Sequence, residues 1–248
     1  MAKWFEDKFE GRHEGVVRRH VPMRKPGFLS SYTGIIIVVN VAFFIIAISL
    51  GALSNPDCSQ TSCRFIALTP SVILAGGAIW TFVTSMFMHG GFAHLFVNMI
   101  SLMFIGNFVE KLIGKKRFLW LYIIGGLFAG IFFVVLAGIF GNSPLGAKIV
   151  GSPLMYAVGA SGAIMALGGL LAVLTPRLPV LVFFIIPMPM WGAIGLLMFG
   201  FWALSLSFGL PIGNTAHLGG LLIGVGYGFY LRKKYPRKTK MISKYFTR

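Results

Sequence analysis

Six apolar runs, at about residues 34–53, 92–112, 118–140, 161–175, 190–207 and 215–231, constrain this chain more than any other feature. A helix needs roughly 20 apolar residues to cross a hydrocarbon core of about 30 Å, and most of these runs approach that length. Charged residues make up 11% of the 248 and hydrophobic residues 56%, whereas a soluble domain carries about 25% charged residues. The chain has too little polar surface to face water on all sides, so a multi-pass, all-α membrane protein is expected. Residues 1–26 include Glu6, Asp7, Glu10 and Glu14 and hold no apolar core, so they do not read as a signal peptide.

The net charge of +16 is concentrated at the ends. Seven Lys/Arg precede residue 34 and eight follow residue 230. A nucleic-acid-binding protein would interleave such charge with aromatics on a folded face; here it flanks apolar spans, which points to membrane topology and contact with anionic lipid headgroups. With the N-terminus inside, the inner side receives 20 Lys/Arg, and the outer side receives only Arg64 and Lys148. That asymmetry follows the positive-inside rule. The expected fold is a bundle of six transmembrane helices with a long first outer loop and both termini cytoplasmic, in a prokaryotic cell membrane. It divides into a basic tail (1–33), a membrane domain (34–231) and a second basic tail (232–248), with no internal repeat. The first outer loop, 54–90, holds two interrupted apolar pieces that read as short buried or interfacial helices. It also carries Cys58 and Cys63, which facing an oxidising compartment form either a small disulfide or two free thiols.

The chemistry-bearing residues sit at helix starts. Ser161 lies in Gly159-Ala160-Ser161-Gly162, after a polar loop and at the head of the fourth span. His217 heads the sixth, and both spans enter from the outer side. The fourth run rises only roughly 22 Å, so Ser161 is expected below the outer surface, reached by a loop (151–160) that dips inward. Irregular backbone at that depth is tolerated where protein shields it or water fills a cavity. Ala216, Gly220, Gly224 and Gly228 recur every fourth residue along the sixth span, and Gly168, Gly169 and Ala172 offer the fourth a matching smooth stretch. Small residues let helix backbones approach closely, which would bring the Ser161 hydroxyl to the imidazole. Packing alone explains either motif by itself; together, at matched depth, they favour a Ser/His pair.

No carboxylate is placed to complete a triad, since four of the six lie before residue 15, Asp57 is in the first loop and Glu110 ends the second span. The serine motif also has Ala163 where a soluble-hydrolase nucleophile elbow has glycine. A third cluster, His89, His94 and Asn98, opens the second span, with His94 and Asn98 one turn apart on one face. Both can donate hydrogen bonds, as a tetrahedral oxyanion requires. Metal ligation by His89, His94 and His217 competes with that reading, but no nearby acid orients such a site, so neither metal nor cofactor is expected.

Taken together, Trp80-Thr81, Phe87-Met88-His89, His94-Leu95, Asn98-Met99, Glu110-Lys111, Gly159-Ala160-Ser161-Gly162, Ala216-His217, Gly220 and Gly224 resemble the rhomboid intramembrane serine proteases, over about residues 80–230. The resemblance implies Ser161 as nucleophile and His217 as base. It implies His94, Asn98 and the Ser161 amide as oxyanion donors, with Gly159, Gly162, His89, Gly220 and Gly224 in support. It implies substrates that are transmembrane protein segments, cut near their outer ends and admitted past the fifth span. Two positions depart from the family pattern: Thr81 stands where Arg is frequent, and Met165 where an aromatic often stacks on the base. A catalytically silent relative that binds transmembrane clients, and a transporter using histidine proton relays, are the competing classes. The substrate and the oligomeric state have no signature in the sequence.

Overall fold

The computed structural model describes residues 27–51, 61–182, 185–209 and 213–246. Its principal helices are α1 (Tyr32–Ser49), α2 (Phe92–Ile113), α3 (Lys115–Phe140), α4 (Ser161–Leu174), α5 (Met190–Phe208), α6 (Asn214–Lys234) and α7 (Pro236–Tyr245). Each apolar run read from the sequence falls on one of the first six. By length and composition α1, α2, α3 and α5 can cross a membrane. With 14 residues, α4 rises only about 21 Å. With 21 residues α6 reaches about 30 Å, but its last turn is Arg232, Lys233 and Lys234.

The shortest of these six is also the most enclosed. Twelve of the fourteen α4 residues are buried, with α2, α3, α5 and α6 packed around them. Outward-facing Ile45, Phe104, Trp120 and Phe199 are each more than half exposed, an apolar periphery that suits lipid rather than water. Asn40, the one polar side chain midway along α1, is fully buried and donates to the Ile36 carbonyl at 2.8 Å. It faces the bundle, with the Tyr122 hydroxyl of α3 beside it.

One carboxylate ties α1 to α2. Glu110 is buried, and its oxygens accept from the Tyr32 amide at 3.0 Å, the Thr33 amide at 2.8 Å and the Thr33 hydroxyl at 2.7 Å. The Ser31 hydroxyl accepts from the Gly34 amide at 3.0 Å. The first three N–H groups of α1 are thus satisfied inside the protein, with a negative charge at the positive end of the helix dipole. The sequence marks Glu110 as the end of the second span and as part of the resemblance, but does not show what its carboxylate binds.

The first loop holds short helices at Thr61–Arg64, Pro70–Leu74 and Thr81–Thr84, in line with the interrupted pieces expected there. Cys63 is buried and disulfide-bonded, while Cys58 lies outside the described residues, as does the N-terminal tail up to residue 26. Two segments differ from expectation. Between α4 and α5, a stretch assigned to none of the six apolar runs, an antiparallel hairpin pairs β1 (Pro179–Val182) with β2 (Ile186–Pro189), from Pro179 opposite Pro189 to Val182 opposite Ile186. Of the segment 232–248, read as a tail, residues 232–234 instead continue α6 and Pro236–Tyr245 folds as α7, which buries Thr239. Just beyond α7, Phe246 sets its ring edge against Phe108, 5.7 Å between centroids.

Replacing Glu110 with Ala strands two amides and a hydroxyl in a buried site and should lower stability by about 2–4 kcal/mol. Glu110→Gln, which keeps one acceptor oxygen, should lose less. Thermal unfolding in mild detergent measures both, and a Glu110→Ala melting point equal to wild type would show that another group caps α1.

Candidate active site

Ser161 is the first residue of α4, and Gly159 before it adopts φ +122°, a conformation that favours glycine. Glycine is required there on a second count. A Cβ at this position would lie 2.8 Å from His94 Nε2 and 3.6 Å from Ser161 Oγ. The loop carrying the serine is fastened by its backbone: the Gly159 amide donates to the Ser85 carbonyl at 2.8 Å, and Ala157 exchanges two hydrogen bonds with Leu68. Backbone bonds of this kind leave no trace in residue type, so Ser85 and Leu68 drew no attention in the sequence.

The base arrives on α6. His217 Nε2 lies 2.8 Å from Ser161 Oγ, both side chains being half-buried. What brings them together is the glycine stripe. A Cβ on Gly220 would collide with the Gly162 carbonyl, and one on Gly224 with the Ala166 carbonyl; one on Gly228 would sit 2.7 Å from Val173 Cβ. From the other side, a Cβ on Gly169 would sit 2.7 Å from the Leu221 carbonyl. One expected member of this contact belongs elsewhere: Gly168 packs on Ile194 of α5, whereas Gly162 sits between α6, through its carbonyl, and Ala129 of α3.

His94 lies against the serine loop at Gly159, with Asn98 and His89 next to it. The Gly90 amide donates to His94 Nδ1 at 3.4 Å, which leaves the ring proton on Nε2, the nitrogen beside Gly159. Asn98, 4% exposed, donates from Nδ2 to the His94 carbonyl at 2.8 Å, and the amide keeps a second hydrogen. His89 is fully buried, with its ring edge 5.1 Å from that of His94 and its Nδ1 3.3 Å from the Phe87 carbonyl. Burial first, and the neighbouring His94 second, hold His89 down to about 4, so it stands as a neutral buttress. Among the described residues no three His, Cys, Asp or Glu side chains form a metal-holding group. The one described carboxylate side chain, Glu110, is near the far end of α2 from His94.

Two contacts missed by sequence reasoning position the surroundings. Thr215 donates to the Val150 carbonyl at 2.8 Å, and Trp202 Nε1 to the Ile149 carbonyl at 3.0 Å. Both α6 and α5 are thereby pinned to one short helix, Pro144–Val150. The two departures also find their places. Thr81 is buried and closes a local turn onto the Ala78 carbonyl at 2.7 Å, while Trp80 anchors the loop by donating to the Phe65 carbonyl at 2.9 Å and stacking on Phe65. Met165 lies one turn into α4, buried in the main core.

An apolar helical bundle with a serine and a histidine hydrogen-bonded between two helix starts defines a class of membrane protein rather than a soluble hydrolase. Residues 76–234 match the family model of the Rhomboid domain, and the chain belongs to the rhomboid family. It is 33% identical over 156 residues to RHOMBOID-like protein 5 of Arabidopsis thaliana, covering 62% of this chain and 45% of that one. It is 29% identical over 207 residues to Rhomboid protein 1, mitochondrial, of Saccharomyces cerevisiae (81% and 53%). It is 30% identical over 204 residues to Rhomboid protease GluP of Bacillus subtilis (81% and 34%). The chain thus spans about a third to a half of the length of these relatives.

The stripe can be tested against its own control. Gly220→Val should part α6 from α4 and abolish the reactivity of Ser161 toward a fluorophosphonate. Gly226→Ala, where an added methyl meets nothing within 4 Å, should leave labelling within about twofold of wild type, since exposed helix positions tolerate alanine well. Equal labelling of all three proteins would remove the stripe from the account of the site.

Proposed function

We propose that this chain is an intramembrane serine endopeptidase that cleaves transmembrane segments of other membrane proteins. The observation that carries this reading is the 2.8 Å contact between His217 Nε2 and Ser161 Oγ. His217 Nε2 takes the Ser161 proton as Oγ attacks the scissile carbonyl carbon, and the carbonyl electrons move onto its oxygen. His94 Nε2–H, the free Asn98 amide hydrogen and the Ser161 N–H, at the positive start of α4, stabilise that oxyanion. Its collapse expels the peptide amine, which takes the proton from His217 and leaves an acyl group on Ser161. Water, deprotonated by His217, then attacks the acyl carbon and restores the free hydroxyl. No acid orients His217 in this scheme; Thr215 and the close helix contact hold the start of α6 in place.

Six crossings are the topology we infer, with both termini on the Lys/Arg-rich cytoplasmic side, where anionic headgroups gather. The membrane domain then comprises residues 34–231. On this view α4, too short to cross alone, begins below the outer surface, and the 151–160 loop descends to it. A substrate helix enters laterally past α5. The name of the Bacillus subtilis relative, a rhomboid protease, supports the same activity.

A fluorophosphonate probe should label the wild type and not Ser161→Ala. Co-expression with a panel of single-span proteins should yield new termini near the outer ends of their spans, absent with Ser161→Ala. Loss of one oxyanion donor costs roughly 10²–10³ in rate, so Asn98→Ala should be impaired by that factor and still measurable. Clients that co-purify equally with wild type and Ser161→Ala, without any cleavage product, would replace the protease with a client-binding protein.

A further inference from the structure

At the end of α6 remote from His217, two cations converge on two tyrosines. Arg117 donates from Nη2 to the Tyr235 hydroxyl at 3.1 Å, and its guanidinium lies 5.5 Å from that ring's centroid. Lys234 donates to the Tyr230 hydroxyl at 2.8 Å, and its ammonium lies 5.3 Å from the Tyr230 ring and 5.9 Å from the Tyr235 ring. Both positive groups therefore lie within 6 Å of one aromatic centroid. Helix α3 starts two residues before Arg117, at Lys115, and no side chain caps it, so the positive end of its dipole adds to the same field.

Lys234 and Tyr230 are exposed, and Arg117 and Tyr235 are half-buried. Each phenol oxygen accepts from a cation, which leaves its own O–H free to donate. A forked guanidinium, an ammonium, two hydroxyls and an open helix start match a compact anion with several acceptor oxygens. The depth of the cluster narrows the choice. Phe229 is 56% exposed and Trp120, one turn along α3 from Arg117, is 65% exposed, while Lys234 and its neighbours Arg232 and Lys233 are exposed. Apolar helix surface gives way to charge at this level, as it does where acyl chains meet headgroups.

We propose that Arg117, Tyr230, Lys234 and Tyr235 form a binding site for the phosphodiester of an anionic phospholipid. This deepens the general lipid contact proposed above and rests on α3 and α6 spanning the membrane, not on the peptidase activity. The choline of a zwitterionic lipid would bring its own cation to two others, so the site discriminates by charge. Because α6 carries His217 at its other end, a headgroup held at Lys234 also fixes the depth of the base.

The test is lipid retention by the full-length protein in detergent, read by native mass spectrometry, with phosphatidylglycerol, phosphatidylcholine and inorganic phosphate as probes. Phosphatidylglycerol should bind better than phosphatidylcholine. The Arg117→Gln/Lys234→Gln protein should lose roughly 30-fold in phosphatidylglycerol affinity. Tyr230→Phe, which keeps the ring in place, should lose a smaller but measurable part, and it remains informative if the double variant does not fold. Equal binding of the two lipids, or an affinity unchanged in both variants, would overturn the proposal. Displacement of phosphatidylglycerol by millimolar inorganic phosphate would assign the cluster to a free anion and overturn the lipid reading. None of these readouts depends on cleavage, so they succeed or fail independently of the protease assay.

Discussion

The contact of α6 with α4 at van der Waals distance between backbones is the constraint on which the rest depends. A histidine on one helix reaches a serine at the head of another only if nothing bulkier than hydrogen separates the two. Gly220 against the Gly162 carbonyl and Gly224 against the Ala166 carbonyl meet that condition. Within lipid, where apolar surface gains little by hiding from acyl chains, such close packing is also what holds helices together. One stripe therefore serves both cohesion and the geometry of the site.

Around that contact the bundle behaves as a frame. α4 is enclosed on nearly every side; the loop before it is held by bonds to the Ser85 and Leu68 carbonyls, and α5 and α6 are held by bonds to the Ile149 and Val150 carbonyls. On the proposed reading, a serine that meets a substrate in a water-poor setting needs donors already in place, because reorganising dipoles there is costly. His94 is set by the Gly90 amide and flanked by His89, and Asn98 is tied to its own helix. The opposite end of the bundle has a different character. Glu110 closes the start of α1, and the cations of α3 and α6 gather on tyrosines. Charge is either neutralised by buried amides or turned toward the aqueous boundary.

Family membership and the site geometry are separate strands of support. The Rhomboid match covers 76–234 and says nothing by itself about which side chains touch. The 2.8 Å contact is a property of this chain's own packing. Ser161 and His217 both fall within the matched span, and the proposed protease reading rests on the two strands together.

The helices were legible from residue order alone, because a stretch without charge has one stable way to satisfy its backbone in lipid, and helix ends follow where polar residues resume. The short spacing motifs were legible too: one hydroxyl between glycines, one imidazole, a histidine and an asparagine a turn apart. Tertiary structure alone decided which glycine faces which helix, so that Gly168 went to α5 and Gly169 to α6. It also decided that Glu110 would cap a helix 77 residues away in sequence, that the chain after α4 would turn back as a hairpin, and that α7 would return to the bundle. Those outcomes are set by distances between segments far apart in the chain and by carbonyls that every residue carries, and neither is written in side-chain identity.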